Sequence, residues 1–164
     1  MVRIFGGACV FGASALLGFG LWRRLVRRVA VLKSVLQAFR MLRTEIEFLQ
    51  TPLCTAVSKI ADRSADVIFT AFASALEIGE SPSAAMERAL DAADVLTEAD
   101  QAVLREAAIS LGESDAVTQG RHIEAVLGRL QACFSEAEAH LQVQGKLCMS
   151  GGMLGGVLLL ILLL

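Results

Sequence analysis

Residues 4–28 read IFGGACVFGASALLGFGLWRRLVRR, and the rest of the chain is best interpreted from this segment. Residues 4–22 carry no charge, and a helix of that length spans roughly 28 Å, close to the hydrocarbon thickness of a bilayer. Four arginines follow and resist translocation, which holds their side of the membrane in the cytoplasm: Arg23, Arg24, Arg27 and Arg28. The segment predicts an uncleaved transmembrane helix over 4–22.

A cleaved signal peptide is the competing interpretation of the same segment. Ala13-Ser14-Ala15 resembles a cleavage site, and Arg3 stands before the apolar run. The run continues beyond Ala15 to Trp22 and then meets the arginines, which favours the uncleaved helix.

The other end of the chain is equally apolar. Residues 147–164 carry no charge and finish in a leucine-rich tail, which predicts a second transmembrane helix over 147–164. Arg23, Arg24, Arg27 and Arg28 are called the arginine collar. Two transmembrane helices with this collar on the cytoplasmic side place residues 23–146 in the cytoplasm. Glycines at four-residue spacing would let helices pack closely within the membrane: Gly151 with Gly155, and Gly152 with Gly156.

Charge is distributed unevenly between the collar and the middle of the chain. Every charged residue before Glu45 is basic, whereas all 17 acidic residues occur from Glu45 onward. This pattern suits a protein seated on anionic lipid headgroups with an acidic body facing the solvent. The four cysteines form no C-x-x-C pair, so we expect free, buried thiols and no zinc site.

The middle of the chain has a helical pattern throughout. Apolar residues recur at spacings of three and four in a first stripe, Leu32, Val35, Phe39, Leu42, Ile46 and Leu49, and in a last one, Ile123, Val126, Leu130, Cys133, Ala137 and Leu141. Alternating strand patterns are absent. The fold class is therefore all-α: an antiparallel bundle of about six helices between two transmembrane helices.

Capping residues and prolines mark the predicted ends of the inner helices. Thr51 is predicted as the N-cap of the second helix with Pro52 in its first turn, and Gly79 as a C-cap. Ser81-Pro82 and Thr97-Glu98-Ala99-Asp100 are predicted to open two further helices, the second of which should stop at Gly112.

No motif for catalysis or cofactor binding is found in the sequence. Phosphate-binding loops, a nucleophile elbow and the Glu-x-x-His pairs of a di-iron bundle are missing, so we expect no enzyme, cofactor or metal. Both histidines are expected to face solvent or an interface. The basic collar lacks interleaved aromatic residues, so lipid rather than nucleic acid is its expected partner, and no small-molecule substrate is expected.

Three segments of the chain form a specific pattern. The first is Met41-Leu42-Arg43-Thr44-Glu45-Ile46, continuing through Phe48 to Thr51-Pro52-Leu53. The second is Leu111-Gly112-Glu113-Ser114-Asp115 with Gln119, and the third is Gly152-Met153-Leu154-Gly155-Gly156 before the tail. Together they resemble the stage III sporulation protein AB family, membrane proteins of endospore-forming bacteria. Phe48 and Cys148 occupy positions where the family prefers aromatic residues, often Tyr at the former.

The resemblance implies a scaffold in the channel complex between mother cell and forespore. Its soluble part would be similar to the type II secretion F-type and type IV pilus platform proteins. It would dock a secretion-type ATPase similar to stage III sporulation protein AA, and join other channel subunits in the mother-cell membrane around the forespore. The alternative is an F-type platform subunit of an ordinary pilus or secretion system.

Several motif residues have a structural explanation beside the functional one. Thr51, Pro52 and Leu53 are adequately explained as helix punctuation, and Leu42 and Ile46 as core. Glu45, Asp115 and Gln119 are better candidates for a partner contact or a polar contact between helices. Asp115 also fits a helix N-terminus, where it would stabilise the macrodipole.

Overall fold

A computed structural model describes the backbone of residues 2–64, 66–113 and 121–143, with side chains from residue 19 onward except 112 and 113. These residues form six helices and no strand, which confirms the predicted all-α class. The helices are α1 (Val2–Glu47), α2 (Leu53–Ser64), α3 (Val67–Glu77), α4 (Pro82–Asp91), α5 (Glu98–Glu113) and α6 (121–143).

The two predicted transmembrane helices stay predictions. Across the described ranges, no helix combines the length and the apolar character needed to cross a bilayer. The side chains of 4–18 and the whole of 147–164, including Gly151, Gly152, Gly155 and Gly156, lie outside the described residues.

The chain divides into two compact units. Residues 30–135 form one unit, called here the helical body, and residues 1–29 with 136–164 form the other, called here the terminal unit. α1 passes from the terminal unit into the helical body without a break in its hydrogen bonding.

Aromatic and aliphatic side chains from several helices fill the core of the helical body. Phe39, Phe69 and Phe72 are almost wholly buried, and their rings meet edge to face with centroids 5.5 Å and 6.3 Å apart. Such pairs contribute about 0.5–1.5 kcal/mol beyond the apolar area that they bury. The stripes predicted for this core are largely confirmed, because Leu32, Val35, Leu42, Ile123, Val126 and Leu130 are all buried.

Neighbours in the chain are also neighbours in space. α2 packs on α3, α3 on α4, and α4 on α5. Two contacts between α1 and α6 show that these helices are antiparallel, because they run in opposite order along the two helices: Arg40 donates to Gln131 at 3.1 Å, and Arg43 pairs with Glu124 at 3.6 Å. This is the up-and-down arrangement that short connections predict.

Most of the predicted capping residues are found at the ends of helices. Gly79 adopts a φ of 90°, and the N–H groups of Gly79 and Glu80 donate to Leu76 and Ala75, which is a Schellman motif. Ser81 caps α4 with Pro82 in its first turn. Thr97 and Asp100 form a reciprocal capping box, each side chain accepting from the other's N–H (3.3 Å and 2.9 Å).

Four local predictions are wrong. The Pro52 carbonyl accepts the first bond of α2 from Ala56, so Thr51 lies one residue before the N-cap. α5 continues through Gly112 to Glu113, because an isolated glycine is tolerated inside a helix. Leu49 lies beyond the end of α1 and is exposed, not part of its buried stripe. Cys54 is exposed rather than buried.

Candidate docking site at the α1–α2 turn

The best-defined functional candidate is the turn between α1 and α2, residues 48–52. The Phe48 N–H still donates to the Thr44 carbonyl, which extends the helical path just past Glu47. Gln50 then takes a φ of 49°, in the left-handed region that residues other than glycine seldom occupy. Unusual backbone of this kind is retained where neighbouring contacts impose it.

Glu45 and Thr51 supply those contacts through two hydrogen bonds, called here the Glu45–Thr51 clasp. The Thr51 hydroxyl donates to Glu45 Oε2 at 2.9 Å, and the Thr51 N–H donates to the Glu45 carbonyl at 3.0 Å. Lys59 of α2 adds an ion pair to the same carboxylate oxygen at 3.3 Å. The clasp therefore ties the last turn of α1 to the start of α2.

The carboxyl group of Glu45 is electrostatically adapted to this role. The hydrogen bond from Thr51, and then that from Lys59 with the charges of Lys59 and Arg63, lower the pKa of Glu45, against an opposing contribution from desolvation. Glu45 thus stays ionised and keeps accepting both bonds at neutral pH. The sequence suggested Glu45 as a polar contact between helices, and the structure places it in one.

The same turn holds two large apolar side chains in solvent. Phe48 is 75% exposed and Leu49 is 61% exposed. Exposed apolar residues are common singly, but two adjacent ones on a turn fixed by a clasp form the kind of patch that partners bind. Apolar periodicity wrongly placed Leu49 in the buried stripe of α1; the helix-ending signal Gln-Thr-Pro directly after it was the available clue.

The other predicted motif residues take different places. Leu42 and Ile46 are buried in the core on α1, and Leu111 is buried on α5. Pro52 directly precedes α2 and Leu53 is its first residue, so both mark the start of this helix next to the clasp. Gly112 lies in α5, whereas Asp115 and Gln119 lie outside the described residues.

A second surface feature lies between α5 and α6. A cavity of about 400 Å³ is lined by Glu106, Ile109, Ser110, Arg121, His122 and Arg129, among others. Arg129 is ion-paired with Glu106 across it. His122 and His140 are both exposed, as predicted. Where the structure describes side chains, no group of three acidic, histidine or cysteine residues is placed to hold a metal ion.

Comparison with known proteins identifies the family. The family described as stage III sporulation protein AB matches residues 3–164. The chain belongs to this family. The stage III sporulation protein AB of Bacillus subtilis (strain 168) is 30% identical over 171 aligned residues, covering 100% of both chains. A solved structure of stage III sporulation protein AB is similar at a TM-score of 0.62 with 28% identity, covering 71% of this chain and 97% of that one.

Membership in the stage III sporulation protein AB family confirms the resemblance seen in the motif residues and places the chain among sporulation proteins. Two of the matching segments meet the described structure: the first contains the clasp, and the second begins with buried Leu111. The similar solved structure also supports the helical fold.

Proposed function

We propose that this chain is a non-enzymatic scaffold subunit of the channel complex between mother cell and forespore, and that it docks a secretion-type ATPase at the membrane. The family match over 3–164 supports a role as a subunit of the stage III sporulation complex. The observation that carries the docking role is the Glu45–Thr51 clasp, which holds Phe48 and Leu49 exposed on an ordered turn.

The turn suits binding better than chemistry. A scaffold needs exposed apolar anchors held in one conformation, because a preordered surface loses less entropy on binding. The carboxylate of Glu45 accepts hydrogen bonds from Thr51 and Lys59, so it is committed to structure rather than to proton transfer. The partners of such a subunit are the ATPase and the other membrane subunits of the channel.

Membrane attachment is the second part of the proposal. Phe19, Leu21 and Trp22 of α1 are exposed, and the rings of Phe19 and Trp22 lie 5.8 Å apart. They directly precede the arginine collar, in which Arg23, Arg24 and Arg27 are exposed and Arg28 is half-buried. Aromatic residues beside arginines are typical of a membrane–water interface. We assign 4–22 and 147–164 as spans and 23–146 as the cytoplasmic bundle.

Co-purification tests the docking role. The full chain, extracted in mild detergent from sporulating cells, should recover a secretion-type ATPase and channel subunits. Recovery of channel subunits without an ATPase would contradict docking but leave the scaffold role standing. Recovery of an ATPase of an ordinary pilus system from vegetative cells would instead support the alternative F-type platform function.

Cys54 allows a direct test of topology because its side chain is exposed. In vegetative cells that express a variant retaining only this cysteine, with Cys9, Cys133 and Cys148 replaced by serine, a membrane-impermeant maleimide should label lysed cells but not intact protoplasts. Labelling of intact protoplasts would place the helical body outside the cytoplasm and rule out contact with a cytoplasmic ATPase.

A further inference from the structure

Three large apolar side chains are exposed just after the C-terminal ends of α1 and α3. Phe48 and Leu49 lie on the α1–α2 turn, and Ile78, which is 72% exposed, is the C-cap residue of α3. The adjacent residues Ser58 and Lys59 of α2 link the two places, because Ser58 bonds Glu77 at 2.9 Å and Lys59 bonds Glu45 at 3.3 Å. The end of α1 and the end of α3 therefore flank the same part of α2.

Both apolar groups are held by structured turns. The clasp fixes the turn that carries Phe48 and Leu49. The Schellman motif at Gly79 fixes the turn that carries Ile78, through bonds of 3.0 Å and 3.2 Å to Leu76 and Ala75. Side chains on such turns are presented in one arrangement, so binding them immobilises little that is not already ordered.

Four carboxylates lie close in sequence to these side chains, and three of them are ion-paired with basic residues. Glu45 and Glu47 precede Phe48, and Glu77 and Glu80 bracket Ile78, whereas residues 44–58 and 64–87 contain no lysine or arginine. Arg43 and Lys59 pair with Glu47 and Glu45, and Arg88 pairs with Glu80. Glu77 bonds only the neutral Ser58 among the described contacts, so its charge remains available to a partner.

We propose that Phe48, Leu49 and Ile78, with Glu77 at their edge, form one docking surface for a protein partner that carries an apolar pocket rimmed by lysine or arginine. The inference rests on the proposed function, which makes the partner the secretion-type ATPase. Apolar anchors give most of the binding energy at such interfaces, and complementary charge at the rim raises the association rate.

Binding measurements on the full chain in detergent, with the purified secretion-type ATPase as probe, test the apolar part. The double variant F48A/L49A and the single variant I78A should each weaken binding, the former by about tenfold or more. The matched control is V67A, because Val67 is 66% exposed but lies at the N-terminal end of α3, away from this surface. V67A should bind like the wild type.

Two further variants, E77Q and D91N, test the contribution of the charge of Glu77 to binding. E77Q removes the charge of Glu77 while retaining an oxygen that accepts from Ser58, so the fold is preserved. It should slow association severalfold at low salt, and the difference should shrink as salt screens the rim. The matched control is D91N. Asp91 is exposed at the C-terminal end of α4, whereas Gly79 precedes the N-terminal end of that helix, so D91N should change the association rate little.

The outcomes separate this inference from the proposed function. A wild-type chain that does not bind the ATPase overturns both. A wild-type chain that binds, with F48A/L49A and I78A unchanged, overturns the surface alone and leaves the docking role intact. Variants that alter only self-association of this chain overturn the assignment of the partner. Circular dichroism and unfolding curves of each variant verify that lost binding is not lost folding.

Discussion

Glu45 is the residue on which the α1–α2 turn depends most. Its carboxylate accepts from Thr51 and Lys59, and its carbonyl accepts from the Thr51 N–H. The sequence identified Glu45 and Thr51 as notable residue types, but not as partners. Their contact requires the left-handed conformation of Gln50, and glutamine carries no sequence signal for that conformation. Local periodicity therefore could not predict the clasp.

Thr51→Val should raise the pKa of Glu45, because the hydroxyl of Thr51 is the largest cause of its lowered value. A lowered pKa in the folded state gives stability at neutral pH that is lost as the pH falls below about 4.3 toward that lowered pKa. In the variant this acid-labile contribution should be smaller. A carboxyl ¹³C titration in detergent micelles measures the shift.

Thr44→Val is the matched control for that titration. The hydroxyl of Thr44 donates to the Arg40 carbonyl and not to Glu45. Its loss should leave the titration of Glu45 unchanged. An equal shift in both variants would show that the Thr51 hydroxyl is not the cause of the lowered pKa.

Three helix ends were predictable from the residue types found there. Gly79, Ser81 with Pro82, and the Thr97–Asp100 pair all act as their sequence patterns indicate. The N-cap of α3 was not predicted, because Asp62, Ser64 and Asp66 all offer capping oxygens before the helix. The structure selects Asp66, whose carboxylate accepts from Ile68 and Phe69 at 2.9 Å and 3.2 Å.

Gly79→Ala should lower the free energy of unfolding by about 1 kcal/mol, because alanine strains at positive φ. A Cβ at this position would meet no atom within 4 Å, so the cost is conformational and not steric crowding. Gly128→Ala is the control, since Gly128 lies inside α6 in equally open space. There the same substitution should stabilise by about 0.5–1 kcal/mol. Urea unfolding in mild detergent measures both.

Asp66→Ala should lower the free energy of unfolding by about 1–2 kcal/mol, because two N–H groups at the start of α3 lose a buried acceptor. Asp62→Ala removes an exposed carboxylate on α2 and should change it by less than about 0.5 kcal/mol. Equal losses in thermal unfolding would show that the cap does not stabilise α3.

The helical body as a whole follows from its apolar stripes and short connections. Periodicity indicated which side chains are buried, and the connections indicated that successive helices pack together. Which further helices meet was not predictable, because several stripes are equally apolar. The contacts of Phe39 with Phe69, and of Arg40 with Gln131, resolve this by joining α1 to α3 and to α6.

Phe69→Ala should cost about 3–5 kcal/mol, because the ring is wholly buried between Phe39 and Phe72. Phe48→Ala removes an equally large side chain that is 75% exposed, and should change stability by less than about 0.5 kcal/mol. Urea unfolding distinguishes them. A large loss from Phe48→Ala would mean that Phe48 supports the fold and is not simply presented to a partner.

The chain-neighbour packing of α2 through α5 also has a kinetic consequence. Contacts between residues close in sequence form quickly, so these four helices are expected to assemble on the microsecond to millisecond scale. Contacts between distant parts of the chain form later, because closing a longer loop costs more entropy. The bond between Arg40 and Gln131, which are 91 positions apart, must wait for the last helix, α6. Docking of α6 on α1 is therefore expected to be the slower step of assembly.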